Sequence, residues 1–287
     1  MITSWMARWI GYAFAAELLL VLLLGGAGAW QLEDGTLCTA SVLGSLAWLL
    51  LFASTRAPSG SAWASWKGSL QFVACWLIFP LFRAIREVFI AHTADASLLA
   101  LDRQLWGGRS LPEHLLDWER PWLSELLSTG YFLFYVVALV PAIVFSARRR
   151  SHEARAFFLG LASMYLVGFA GYLLVPAGGP YMAFPATFPY PPQGGPMTHF
   201  LVGVVRAGIT GMDTFPSLHS GIGVYVLGFF TLGGYRRIAL LLTPVILALV
   251  VATIYLRYHY GIDVLCGITL AAGVLAFIQR YRKESLA

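Results

Sequence analysis

The sequence predicts an all-α, polytopic membrane helix bundle with about eight transmembrane helices. Three observations predict it. Hydrophobic residues make up 59% of the 287 positions and charged residues 11%, against about 45–50% and about 25% in soluble proteins. The apolar residues come in continuous runs close to the ~20 that a helix needs to cross a bilayer. The basic residues gather in alternate connections between those runs. An ordinary soluble enzyme, a disordered tail and a nucleic-acid-binding domain are thereby excluded. So is a β-barrel, whose strands alternate polar and apolar residues in pieces of about ten.

Eight runs qualify: 9–29, 37–54, 69–91, 126–147, 156–175, 217–233, 238–256 and 262–279. The second and sixth are short. The first, ending near Ala27-Gly28-Ala29, shares a small-residue pattern with signal-peptide cleavage sites. It is long for such a peptide and contains Glu17, so a retained span is the preferred reading. Residues 92–125 mix Leu98, Leu99, Leu101, Leu115, Leu116 and Trp118 with acids and arginines, as short helices lying at the membrane interface do. Residues 176–197 hold seven Pro and four Gly, which predicts no helix there. Their aromatics, Tyr181, Phe184, Phe188 and Tyr190, fit either an exposed linker or a rim over an outward-facing pocket.

Basic residues mark the cytoplasmic side. With the N-terminus inside, the inner segments hold twelve basic residues, among them Arg8, Arg56, Lys67, Arg148, Arg149, Arg150 and Arg155, and only two acids, Glu153 and Glu284. The outer segments hold seven basic residues and eleven acids. The overall charge of +5 therefore reports topology: an even number of spans and both ends inside. The absence of Asn and the scarcity of Lys point to a GC-rich bacterial genome, hence to the inner membrane. Cys38, Cys75 and Cys266 form no motif, and an odd count without neighbours suggests no disulfide framework.

Two histidines stand apart from the other four. His219 opens the sixth span within Asp213-Thr-Phe-Pro-Ser-Leu-His-Ser-Gly221. His259 opens the eighth within Tyr255-Leu-Arg-Tyr-His-Tyr-Gly-Ile-Asp263. One span inward and one span back separate them, so both reach the outer interface. His259 and Asp263 are four apart and share a helix face. A carboxylate there can hold one imidazole nitrogen and leave the other free to attack. Pro216 suits a first helical turn, and the N–H groups after it, with Ser217, make an anion site. Arg257 lies at the same end. Either histidine alone fits an amphipathic interface residue; together with an Asp and an Arg they form a functional candidate. Two His and an Asp also match a Zn²⁺ ligand set, but the adjacent Arg and anion-binding turn suit a phosphate better than a cation. The set fits phosphoryl transfer, which depends on positioning and charge stabilisation.

These residues resemble the type-2 phosphatidic acid phosphatase superfamily. Pro216-Ser217-Leu218-His219 matches its Pro-Ser-x-His motif, and His259-x3-Asp263 the end of its third motif. Phe215-Pro-Ser-Leu-His-Ser220 with His259-Tyr260-x-x-Asp263, and the segment Gly171–Pro180, look most like the branch containing inositol phosphorylceramide synthase. The resemblance covers roughly residues 69–281. It implies a six-helix phosphatase-type core over 69–287, preceded by a two-helix membrane hairpin over 1–68. It further implies a phosphohistidine route without metal or cofactor, with His259 as nucleophile, Asp263 as its orienting partner, His219 as proton donor and Ser217 touching the phosphate. The substrate class would be a lipid phosphate or diphosphate. The acceptor would be water, as in a phosphatase, or an alcohol, as in a head-group transferase.

Two departures concern the phosphate-binding shell. The family's first motif, a Lys seven residues before Arg-Pro, is absent; Arg120-Pro121 has no such Lys. Arg83 and Arg86 are the candidate replacements, or else interface anchors that snorkel. The Ser-Arg expected before the third-motif His is Ala252-Thr253 here, with Arg257 as the substitute. A transporter would instead place ionisable groups at mid-bilayer in paired broken helices; only Glu17 is so placed, and it has no counterpart. Nothing in the sequence marks an oligomeric state.

Overall fold

The computed structural model describes residues 2–57, 64–149 and 151–284. Among them are thirteen α-helices and no strand: α1 (Ile2–Gln31), α2 (Gly35–Arg56), α3 (Lys67–Ile78), α4 (Leu81–Phe89), α5 (Asp95–Leu105), α6 (Leu111–Leu116), α7 (Pro121–Ala147), α8 (His152–Leu174), α9 (Pro180–Ala183), α10 (Pro196–Gly208), α11 (Leu218–Leu232), α12 (Arg236–Tyr255) and α13 (Gly261–Glu284). The chain is an all-α polytopic membrane protein. Seven of the eight apolar runs form one helix each, and the eighth, 69–91, forms two. Six helices, α1, α2, α7, α8, α12 and α13, are long and apolar enough to cross a membrane.

The other two runs differ from a simple span. Run 69–91 is broken: α3 and α4 meet at a bend of 45°. Pro80, the N-cap of α4, has no N–H to continue the helical ladder, which is the usual cause of so sharp a kink. Run 217–233 forms α11, of only 15 residues. At 1.5 Å per residue it falls short of the ~30 Å hydrocarbon layer.

The chain divides into two compact units, and α7, α8 and α13 contribute residues to both. The first comprises Met1–Ala91, Leu139–Ala170 and Gly273–Ala287. Here α1 packs on α2 and α4, and α2 on α3. The helices approach closely because small residues face backbone: a Cβ on Gly25 would lie 2.9 Å from the Leu81 carbonyl oxygen, and one on Gly28 3.0 Å from that of Ala84. In lipid, where apolar burial drives little association, such backbone contact is a main source of helix pairing. Asp34 caps α2, accepting from the N–H groups of Thr36 (2.9 Å) and Leu37 (3.1 Å).

The second unit comprises His92–Ala138 and Gly171–Ala272. The 92–125 stretch forms the short helices α5 and α6, as its amphipathic pattern predicts. Ser110 and Glu113 cap α6 reciprocally, Ser110 Oγ accepting from the Glu113 N–H (3.4 Å) and Glu113 Oε2 from the Ser110 N–H (2.6 Å), a capping box. The Pro-rich 176–197 stretch is not wholly free of helix: one turn, α9, starts at Pro180. Proline is tolerated there because the first helical N–H lacks an intrahelical partner anyway. The stretch ends at α10, whose N-terminus is held by Glu125 of α7. That carboxylate accepts from the N–H groups of Gly195 (2.9 Å), Met197 (3.1 Å) and Thr198 (2.7 Å).

Candidate active site

The site is assembled in the second unit from two connections: the entry to α11 and the turn between α12 and α13. The turn closes on α12, where the Thr253 carbonyl accepts from the N–H groups of Tyr258 (3.1 Å) and His259 (3.0 Å). Arg257 adopts φ 68°, a conformation uncommon for a residue with a side chain and one that clusters at functional sites. At the other side of the turn, Asp263 Oδ2 accepts from the Tyr260 N–H at 2.9 Å and so caps the first turn of α13.

The entry to α11 is tied to that turn. The Ser217 N–H donates to the Asp263 carbonyl at 3.0 Å. A Cβ on Gly267 would lie 2.3 Å from the Ser217 carbonyl oxygen, so only glycine lets the two elements meet. Ser217 is the N-cap of α11, its hydroxyl accepting from the Ser220 N–H at 3.4 Å. Pro216 therefore stands just before the N-cap, not in the first helical turn where the sequence pattern puts it.

The two imidazoles face each other with ring centroids 6.0 Å apart. His259 is 3% exposed. Its Nδ1 lies 3.7 Å from Asp263 Oδ2, beyond hydrogen-bond length, because that oxygen is engaged with the Tyr260 N–H. His259 Nδ1 and Asp263 Oδ1 are both buried without a hydrogen-bond partner. Burial pushes the His259 imidazole down to about 4, against the opposing influence of Asp213 and the Thr214 backbone. The ring is thus neutral at neutral pH. His219 is held by Tyr131, whose hydroxyl is 3.1 Å from Nε2, and by the Tyr131 and Phe134 rings, at 4.9 and 4.6 Å. Its Nδ1 has no partner.

Arg257 is 1% exposed. One terminal nitrogen donates to Glu119, while Nε and Nη1 are buried without partners. A buried guanidinium with unmet donors is costly unless an anion completes it. Glu119 is itself anchored, its other oxygen accepting from the Gln193 N–H at 2.7 Å. Glu119 has no sequence signal: it stands among several acids of an interfacial stretch, 138 residues from its partner.

The Gly171–Pro180 segment acquires a clear place. Gly178 and Gly179 each donate an N–H to the buried Asp95 carboxylate at 2.9 Å, and the Tyr260 hydroxyl donates to it at 3.0 Å. Gly179, at φ 87°, lies so close under the turn that a Cβ would come within 2.3 Å of the Tyr258 carbonyl oxygen. The Tyr181 N–H then donates to the Arg257 carbonyl at 3.2 Å. Four tyrosines pile beside the histidines: Tyr258 lies 5.0 Å from Tyr131, 5.5 Å from Tyr181 and 6.0 Å from Tyr190 between ring centroids. The aromatics of the 176–197 stretch are therefore packed side chains, not those of a bare linker.

The structure brings together His219, His259, Asp263, Ser217 and Arg257. Arg83 and Arg86 lie in the first unit. Arg83 Nε donates to Glu87 at 2.9 Å and Nη1 lies 3.7 Å from Asp34. Arg86 donates to the Ile90 carbonyl at 2.5 Å. Among the described residues, no three His, Cys, Asp or Glu side chains converge as metal ligands do.

A family model described as the PAP2 superfamily matches residues 96–277, a span that holds His219, His259, Asp263, Ser217 and Arg257 and begins after Arg83 and Arg86. No curated protein and no solved structure matches the chain. With well over half of its length matched, and with both histidine motifs inside the match, the chain belongs to the PAP2 superfamily and is a phosphatase-type membrane enzyme of lipid phosphoryl transfer.

Proposed function

We propose that the protein hydrolyses a lipid phosphate or diphosphate through a phosphohistidine. The observation that carries this reading is the meeting of two buried imidazoles, with rings 6.0 Å apart, and a buried Arg257 that keeps two unmet donors. His259 Nε2 attacks phosphorus while Nδ1–H is directed towards Asp263. The P–O bond to the leaving group breaks, and His219 gives that oxygen a proton. Water then attacks the phosphohistidine, His219 takes its proton, and the P–N bond breaks to free phosphate and His259. Arg257 and the first-turn N–H groups of α11 beside Ser217 neutralise the three peripheral oxygens, the term on which phosphoryl transfer chiefly depends. No metal is needed in this scheme.

A head-group transferase similar to inositol phosphorylceramide synthase is the alternative, with an alcohol replacing water in the second step. The tyrosines around Tyr258 favour it to the extent that ring faces can hold a polyol or lipid acceptor. On the charge asymmetry, the site faces the outer side of a bacterial inner membrane. Residues 1–68 are then a hairpin added to the family core of 69–287. Turnover of candidate lipids in ¹⁸O-labelled water tests the reading: label in free phosphate is expected. An unlabelled head group appearing on a second lipid, without labelled phosphate, would replace hydrolysis by transfer.

A further inference from the structure

The first unit contains a cavity of about 400 Å³, lined by Gly11, Lys67, Gln71, Arg149, Arg155 and Phe158 among others. None of its lining residues is acidic, yet three are cationic. Lys67 and Arg149, like charges in a partly desolvated space, repel unless an anion joins them. Gln71 is 6% exposed and its Nε2, a donor, has no partner. Arg149 stacks its guanidinium 4.0 Å over the Trp66 ring, leaving Nε buried and unpartnered. The Lys67 ammonium sits over Gly11, where a Cβ would come within 2.5 Å of Nζ; its neighbour is the Tyr12 ring, 5.6 Å away, not a carboxylate. Glu153, the nearest acid in sequence, is paired with Arg282 at 2.6 Å.

One helix start adds to this field. Lys67, Gly68 and Gln71 belong to the opening turns of α3, whose N-cap, Trp66, makes no side-chain hydrogen bond. Helix N-termini attract anions through free N–H groups and the macrodipole. Ile10, Phe158, Leu159 and Ala162 add apolar wall, beside Ser65 and Tyr281. Donors and hydrocarbon together suit an amphiphile. The lining residues Lys67, Arg149 and Arg155 fall in the basic inner segments, the side where anionic lipid head groups meet basic pockets between helices.

We propose that this cavity is a second, non-catalytic site that binds the phosphate group of an anionic membrane lipid. Lys67, Arg149 and the Gln71 amide hold the phosphate, and the apolar wall holds the first carbons of the chains. The site is separate from the histidine pair and does not depend on its assignment.

Native mass spectrometry of the full chain tests it, with phosphatidylglycerol, phosphatidylcholine and inorganic phosphate as probes. Wild type is expected to keep one phosphatidylglycerol that a Lys67→Gln/Arg149→Gln variant binds at least about tenfold more weakly, the scale of one lost charge-assisted contact. Phosphatidylcholine, of no net charge, should not replace it. Arg257→Ala should retain the adduct, which separates this site from the catalytic one. Displacement of the lipid by inorganic phosphate at similar concentration would support the phosphate site but assign it to the free anion. Should the double variant fold poorly, Gln71→Leu removes the unmet donor without touching a charge and should weaken the same adduct. Equal phosphatidylglycerol binding by wild type and folded variants overturns the proposal.

Discussion

The turn at Arg257 and the helix carrying Arg83 and Arg86 look alike on paper. Each offers arginines at the outer end of an apolar run. The structure separates them by solvation. Arg83 has a side chain 47% exposed and satisfies itself with Glu87 four residues on, a surface pair of the kind worth little. Arg257 is buried, held by one carboxylate, and left with two unmet donors. On the proposed reading, what distinguishes a phosphate-binding arginine from an interface anchor is not its position along a span but whether the fold has already satisfied it.

The largest expected effect lies at the turn itself. His259→Ala should lower turnover by about 10³-fold or more on every substrate, because no covalent route remains. His219→Ala should lose about 10²–10⁴-fold on an alkyl phosphate and much less on an aryl phosphate, whose leaving group needs no proton. Steady-state rates of the two variants on both substrates check this. Equal loss of His219→Ala on both would exchange the roles or remove the acid step.

The arginines break the comparison directly. Arg257→Ala should cost about 10–10²-fold in kcat/KM, the scale of one to two charge-assisted hydrogen bonds. Arg83→Ala and Arg86→Ala should stay within about threefold of wild type, since their partners lie on their own element or beside it. A large loss at Arg83 or Arg86 with Arg257→Ala unaffected would invert the contrast.

The smallest effect is a displaced pH limb. The folded-state value of His259, about 4, lies below its ordinary 6.5. The neutral, nucleophilic ring therefore persists as pH falls through 6.5 and is lost only near 4. The acid limb of kcat/KM should stand near 4, falling about tenfold per pH unit below it. The matching contribution to stability is present above pH 6.5 and is lost as pH falls from there towards 4, where the unfolded chain binds the proton first. A limb at 6.5, read from a pH–rate profile, would mean that the ring is solvated in the working enzyme.

Much of this was legible along the chain. Continuous apolar runs dictate helices because a lipid-facing backbone must satisfy its own hydrogen bonds, and seven of the eight runs form one helix each, the other two helices. His219, His259 and Asp263 were legible because short spacings and two helix starts express their relation locally. Even the break at Pro80 has its cause in one residue, although run 69–91 reads as a single span by hydropathy, which does not count N–H groups.

The sequence by itself determined the class of the protein, its helices, and the two motifs that meet at the candidate site, since these follow from composition, period and near-neighbour spacing. Only the tertiary structure decided which groups serve those motifs. Glu119 reaches Arg257, Tyr131 reaches His219, and Asp95 gathers Gly178, Gly179 and Tyr260 across scores of residues. A carboxylate or hydroxyl carries no mark of its distant partner; the pairing arises when burial removes water and leaves each polar group to find another. The same physics left Arg257 unfinished and filled the needs of Arg83, and no reading of spacing could tell those two outcomes apart.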